Sequence, residues 1–159
     1  MTIEPTMSST YAFEVAFVDH HAKFKQRFNE AVARGDYPCA PRVEGRARVF
    51  TARDVMGIWL YGHLLDDGIP PAKAGELACE LVELLRQRPD LEEVTLVRDA
   101  FRRRHVCAPD AIESLVKFTL GGSRPISIET WDLRQQHKNI AHQFAKLAAR
   151  HVHPDDAED

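Results

Sequence analysis

The sequence predicts a mainly helical α+β domain, and three observations predict it. Residues 51–65 read as a helix apolar on most sides, turning at Asp66-Asp67-Gly68 into a second helix. Period-2 alternation flanks Gly121-Gly122, the pattern of a β-hairpin. A stripe with alternating four- and three-residue spacing closes the chain. The 159 residues fit one domain of the usual roughly 100–200 residues, and 44% hydrophobic composition is enough for a buried core. No apolar run approaches the roughly 18 residues of a membrane span, and residues 1–10 lack the cationic and apolar regions of a secretory signal. A cytoplasmic protein with no membrane partner is expected. Cys39, Cys79 and Cys107 form no CxxC pair and are odd in number, so free thiols in a reducing compartment are expected too.

Residues 1–9 are small and polar and are expected to be disordered. Phe13, Phe17, Phe24, Phe28 and Val32 then repeat on one helical face, which predicts an N-terminal helix over residues 10–35 with Thr10 as N-cap and Gly35 past its end. Tyr11, Phe13, Val15 and Phe17 also alternate, so a strand there, with the helix restarting at Asp19, remains the alternative. Pro38, Pro41 and Gly45 mark a loop. Arg42, Arg46, Arg48 and Arg53 in or beside it make either a solvated connection or a basic arm laid along phosphates.

Thr51 and Asp54 resemble a capping box that starts the first central helix. Val55, Ile58, Trp59, Gly62 and Leu65 line its buried face, widened by Met56, Leu60 and Leu64. Gly68 supplies the left-handed stop, and Pro71 suits the first position of the second helix. That helix runs to about Arg88 with Ala74, Leu77, Ala78, Leu81, Leu84 and Leu85 inward. Residues 94–98 are a strand candidate, and the arginine row Arg102, Arg103, Arg104 follows as either a helical turn or a returning strand. Ile112, Leu115 and Val116 suggest one or two helical turns. Val116, Phe118 and Leu120, then Ile126, Ile128 and Thr130, flank a five-residue loop and predict a hairpin. Residues 132–151 form the last helix, with the seam Leu133, His137, Ile140, Phe144 and Leu147, and an acidic tail occupies residues 152–159. The seam is short and needs a partner, either this domain or a second protomer.

Charge is unevenly spread beneath a net value of −3. Residues 54–97 hold three Lys/Arg against nine Asp/Glu, whereas residues 98–153 hold ten against five. A local basic surface attracts phosphates whatever the net charge, because salt shortens the field to about 8–10 Å. No HExxH, CxxC, GxSxG, P-loop or GxGxxG occurs, so neither a metal, a cofactor nor an enzymatic activity is expected.

Two helices joined by a short Gly-containing turn make a helix-turn-helix. Residues 50–88, FTARDVMGIWLYGHLLDDGIPPAKAGELACELVELLRQR, resemble the helix-turn-helix of MerR-like and related winged-helix regulators of bacterial or phage type, with Gly68 as turn glycine and Ile69 after it. The resemblance implies a winged helix-turn-helix-like core over residues 36–131, with the hairpin near Gly121 as wing. It also implies a C-terminal dimerisation helix. The function implied is a transcriptional regulator that binds double-stranded DNA as a homodimer. Arg46, Arg48, Arg53, Arg102, Arg103 and Arg104 would neutralise phosphates, with Lys117 and Arg124 on the wing. Lys73 and Glu76, near the start of the second helix, would face bases. The row Glu76, Glu80 and Glu83 on that helix supports a rival from another class: an adaptor that docks a basic partner protein.

Overall fold

The structure, a computed structural model, describes residues 4–17 and 21–152. In chain order they form β1 (Met7–Ser8), α1 (Ser9–Ala16), α2 (His21–Arg34), β2 (Val43–Glu44), β3 (Ala47–Phe50), α3 (Ala52–Asp66) and α4 (Pro71–Gln87). β4 (Glu93–Arg98), β5 (Arg104–Cys107), a 3-10 turn (Pro109–Ala111), α5 (Ile112–Phe118), β6 (Ser127–Asp132) and α6 (Arg134–Val152) complete the fold. The described chain is therefore α+β: helices around two small antiparallel sheets, in the orders β1-β3-β2 and β5-β4-β6. Among the described residues, no helix is long and apolar enough to cross a membrane.

The centre is α3. Thr51 Oγ1 accepts from Asp54 N at 3.2 Å, and the Asp54 carboxylate accepts from Thr51 N at 2.9 Å, closing the capping box that the sequence signals. Val55, Met56, Ile58, Leu60, Tyr61 and Leu64 are buried round most of the helix, which packs on α1, α4, α6 and β3. Gly68 sits at φ +85°, where an L side chain would be strained. Pro71 opens α4 where its missing N–H leaves no bond unmade. An aromatic cluster seats α1 and α2 on this core, Phe13 meeting Phe28 and Phe50 edge-on at 5.4 and 5.8 Å. Rings buried this fully cost about 3–5 kcal/mol each to truncate to Ala.

Gly75 explains how α4 meets the segment after α2. A Cβ there would fall on the Asp36 carbonyl, so glycine lets the two backbones touch. Three residues beyond Asp36 and four beyond Gly75, Cys39 and Cys79 are joined by a disulfide, and Cys39 N donates to Cys79 Sγ at 3.1 Å. The expectation of three free thiols is corrected: only Cys107 is free, and it is buried. Spacing hid the bridge, because the two sulfurs meet through tertiary contact across a separation of 40 residues.

Other expectations change as well. Residues 7–8 are paired with β3 and Met7 is buried, so residues 1–9 are not uniformly disordered; residues 1–3 lie outside the described part. The single N-terminal helix is two helices, with Ser8 rather than Thr10 at the first N-cap, and no strand over residues 11–17. Asp19 lies outside the described residues. The loop over residues 35–48 is partly a hairpin, Val43 opposite Arg48 and Glu44 opposite Ala47, and not a flexible arm. The wing predicted around Gly121 does not form. Residues 112–118 are helical, and β6 pairs with β4 instead, Val97 opposite Ile128 and Thr95 opposite Thr130. Alternation identifies a strand but not its partner, and β4 offers both of its edges.

The last helix is where the sequence places it, but its seam turns inward. Leu133 and Ile140 are buried in this protomer's core, with α6 packed on α1 and α3. His137 Nε2 donates to the Leu91 carbonyl at 2.8 Å, and Gln136 reaches the Val15 carbonyl. Phe144 and Leu147 are partly buried against the same core. Leu133 and Ile140 are therefore committed within this protomer, while His137, Phe144 and Leu147 keep part of their surface exposed. The acidic tail beyond residue 152 lies outside the described part.

Candidate nucleic-acid interface

The β4–β5 hairpin follows directly on the helix pair, and Asp99 builds its tip. Asp99 N donates to the Arg103 carbonyl at 2.9 Å, and Arg102 N donates to the Asp99 carbonyl at 3.0 Å. The carboxylate oxygen Oδ1 accepts from the amides of Phe101 (2.8 Å) and Arg103 (3.0 Å), the local bonding that Asp favours in turns. Oδ2 accepts from His105 Nε2 at 2.9 Å. The bond from His105, reinforced by these amides, holds the carboxyl below the ordinary carboxylate range. Arg102 occupies the left-handed region at φ +66°, a conformation the surrounding bonds impose.

The result is a short, fixed tip on which Phe101 is 80% exposed and Arg102 and Arg103 project into solvent. Among the described residues neither arginine takes part in an ion pair. Below them Arg98 and Arg104 stand directly opposite each other across the strands. Like charges in that relation cost stability. Both line a cleft of about 210 Å³ that also holds Asp67 and Ile69 of the α3–α4 turn and Glu129 of β6. Asp67 and Glu129 offset part of the repulsion. Arg98 Nε is buried there with no hydrogen-bond partner among the described residues. The arginine hairpin thus abuts the turn of the helix pair.

Of the residues singled out in the sequence, Arg102, Arg103 and Arg104 come together here. Arg98 and Phe101 belong with them and were not singled out. The available signals were the arginine ending a predicted strand and an apolar residue isolated between Asp99 and an arginine row.

The other cations lie elsewhere. Arg53, on the first turn of α3, pairs with Glu4; Arg48 donates to the Pro41 carbonyl at 3.2 Å; Arg46 is exposed at the β2–β3 turn. They sit towards the start of α3, whose 15 residues span about 22 Å, whereas the arginine hairpin adjoins its end. The arginines expected to neutralise phosphates therefore fall into two groups, one towards each end of α3. Lys117 closes α5 over the Phe118 ring, and Arg124 pairs with Glu113 at 3.1 Å, so neither stands on a wing.

On α4, Lys73 pairs with Glu76 at 3.6 Å and Arg86 with Glu83 at 3.4 Å. Glu80 is turned inward, accepting from Val106 N at 3.1 Å on the edge strand β5. Burial pushes its carboxyl up, against that bond and the nearby Lys73. The acidic row proposed for docking a basic protein is therefore broken. One member is spent on the sheet, and two are partnered along the helix.

Trp131 meets Trp59 of α3 edge-on at 5.8 Å and the His63 ring at 5.4 Å. This places it on the core side of the sheet. No protein-family model and no curated protein matches the chain.

Proposed function

We propose that the protein binds double-stranded DNA as a winged helix-turn-helix-like transcriptional regulator, with α3 and α4 as the helix pair and the β4–β5 hairpin as the wing. One observation carries the reading: four arginines and an exposed Phe101 share one rigid hairpin beside the α3–α4 turn. Arg102 and Arg103 neutralise phosphates, and counterions released from the duplex supply most of the affinity. Phe101 is placed to lie against sugar or a base step, as apolar residues do in groove-binding proteins. Lys73 and Glu76, near the start of α4, are the candidates for base contacts, and the cations near Arg46 add no contact to the same stretch of duplex. Pairing of protomers through the first half of α6 is not part of this reading, since Leu133 and Ile140 are used within the protomer.

The test is a fluorescence-anisotropy titration of a mixed-sequence duplex at several salt concentrations. Affinity falls as salt rises, and the double substitution R102A/R103A lowers the slope of log affinity against log salt by about 2. Binding that ignores salt, or a slope unchanged by the double substitution, overturns the proposal.

A further inference from the structure

The sheet β5-β4-β6 is closed on one side and open on the other. At the β5 edge, Glu80 of α4 accepts from Val106 N at 3.1 Å, so a helix covers that strand. At the opposite edge β6 runs over Ser127–Asp132, and each of its residues except Trp131 is exposed. The strand contains neither lysine nor proline, the residues that usually guard an edge. Ile126 and Ile128 are 58% and 46% exposed, whereas Val97, opposite Ile128 on β4, is fully buried. Leu133 N bonds the Glu92 carbonyl at 2.8 Å, so in alternation residues 131, 129 and 127 also bond inward to β4. Ile128 and Thr130 therefore turn their backbone N–H and C=O groups outward, a template for a further strand.

We propose that a second copy of this chain fills this edge: two β6 strands pair antiparallel about a two-fold axis at Ile128, joining two sheets into one of six strands. Residues that face each other in an antiparallel pair lie on the same side of the sheet, so the axis passes through one residue and its copy. Charge selects which residue. With the axis at Ile128, the two Ile128 side chains face each other and Ser127 faces Glu129 of the second copy. The Arg124 end of each strand then lies by Asp132 of the other. Apolar meets apolar at the centre and opposite charges meet at both ends, the cross-strand pairs that stabilise a sheet.

The neighbouring registers lack this match. An axis at Glu129 sets two carboxylates directly opposite, with Cα atoms about 4.5 Å apart, where like charges repel. Axes at Ser127 or Thr130 bring no opposite charges face to face. Arg124 now pairs with Glu113 at 3.1 Å, but both side chains are exposed, so exchanging that partner costs little. The outer β5 strands of the joined sheet remain covered by Glu80, so assembly stops at two copies. The inference goes beyond the nucleic-acid reading and uses none of the hairpin residues. Its test contains no DNA, so either can fail alone.

The test is sedimentation equilibrium of the full chain, together with oxidative cross-linking of two cysteine variants. The expected mass at about 100 μM is twice the 18.0 kDa of one chain. Ile128→Lys, at a half-exposed site, sets two ammonium groups on the axis and returns the monomer mass with an unchanged far-ultraviolet spectrum. Ile128→Cys places its two Cα atoms about 5.5 Å apart, within disulfide reach, whereas the copies of Glu129→Cys stand about 7–8 Å apart. The first variant therefore cross-links about tenfold faster or more. The parent stays unlinked, because its one free thiol, Cys107, is buried. Four results each overturn the proposal: a monomer mass for the parent, species larger than a dimer, a dimer that survives Ile128→Lys, or linking of Glu129→Cys as fast as that of Ile128→Cys.

Discussion

Asp99 and His105 meet at 2.9 Å beside the turn of a β-hairpin, and that contact orders the most cationic turn among the described residues. The carboxylate at position 99 is an acceptor three times over, from two amides and one imidazole. Because the acceptor is a carboxylate, its bonds are stronger than neutral ones.

The carboxyl of Asp99 is held below its ordinary value, so its contribution has a defined pH window. A depressed folded value stabilises fully above the unfolded value of about 3.9 and is lost as pH falls through the lowered one. Amide exchange at Phe101 and Arg103 is expected to accelerate through that acid window. Asp99→Asn brings the acceleration to neutral pH. Exchange that stays unchanged in the Asn variant would remove Asp99 as the organiser of the tip.

Phe101 is 80% exposed, so Phe101→Ala should leave thermal stability within about 0.5 kcal/mol, the usual range for open surface sites. Duplex affinity is expected to drop, and its salt slope to stay constant, because no phosphate contact is removed. Paired melting curves and anisotropy titrations separate the two effects.

Glu80 gives the opposite sign of pH dependence. Burial raises its carboxyl, so the ionised form costs stability once pH exceeds the unfolded value of about 4.3. Glu80→Gln retains an oxygen for Val106 N and removes the buried charge. Denaturant unfolding at neutral pH should show the variant to be as stable as the parent or more so, and the difference should shrink in acid.

Reduction of the Cys39–Cys79 bridge opens a loop with a separation of 40 residues. Chain entropy alone assigns such a closure about 4 kcal/mol. Chemical denaturation with and without reductant, alongside Cys79→Ser, measures it; a difference below about 1 kcal/mol would mean the unfolded chain is already restricted.

The helix pair was legible because its signals are local. The Thr51/Asp54 box, the Gly68 stop and the Pro71 start each act within one turn of backbone. The second sheet was not, because β6 finds β4 across the whole of β5 and α5, and alternation at Ile126 and Ile128 says nothing of distance. Of the candidate interface, the row Arg102 to Arg104 was visible. Its shape was not, since whether the row is a helical turn or a strand return depends on what Asp99 accepts. Arg46, Arg48 and Arg53 were grouped with that row by charge alone. The length of α3 separates them, a quantity that composition does not carry.

The covalent ring from residue 39 to residue 79 encloses all of α3 and the turn after it. Under tension applied at the two ends of the chain, load passes through sulfur and bypasses that enclosed stretch. About 140 Å of extensible contour therefore stays locked for as long as the bridge is intact. The helix at the centre of the core is mechanically the last part that stretching could reach.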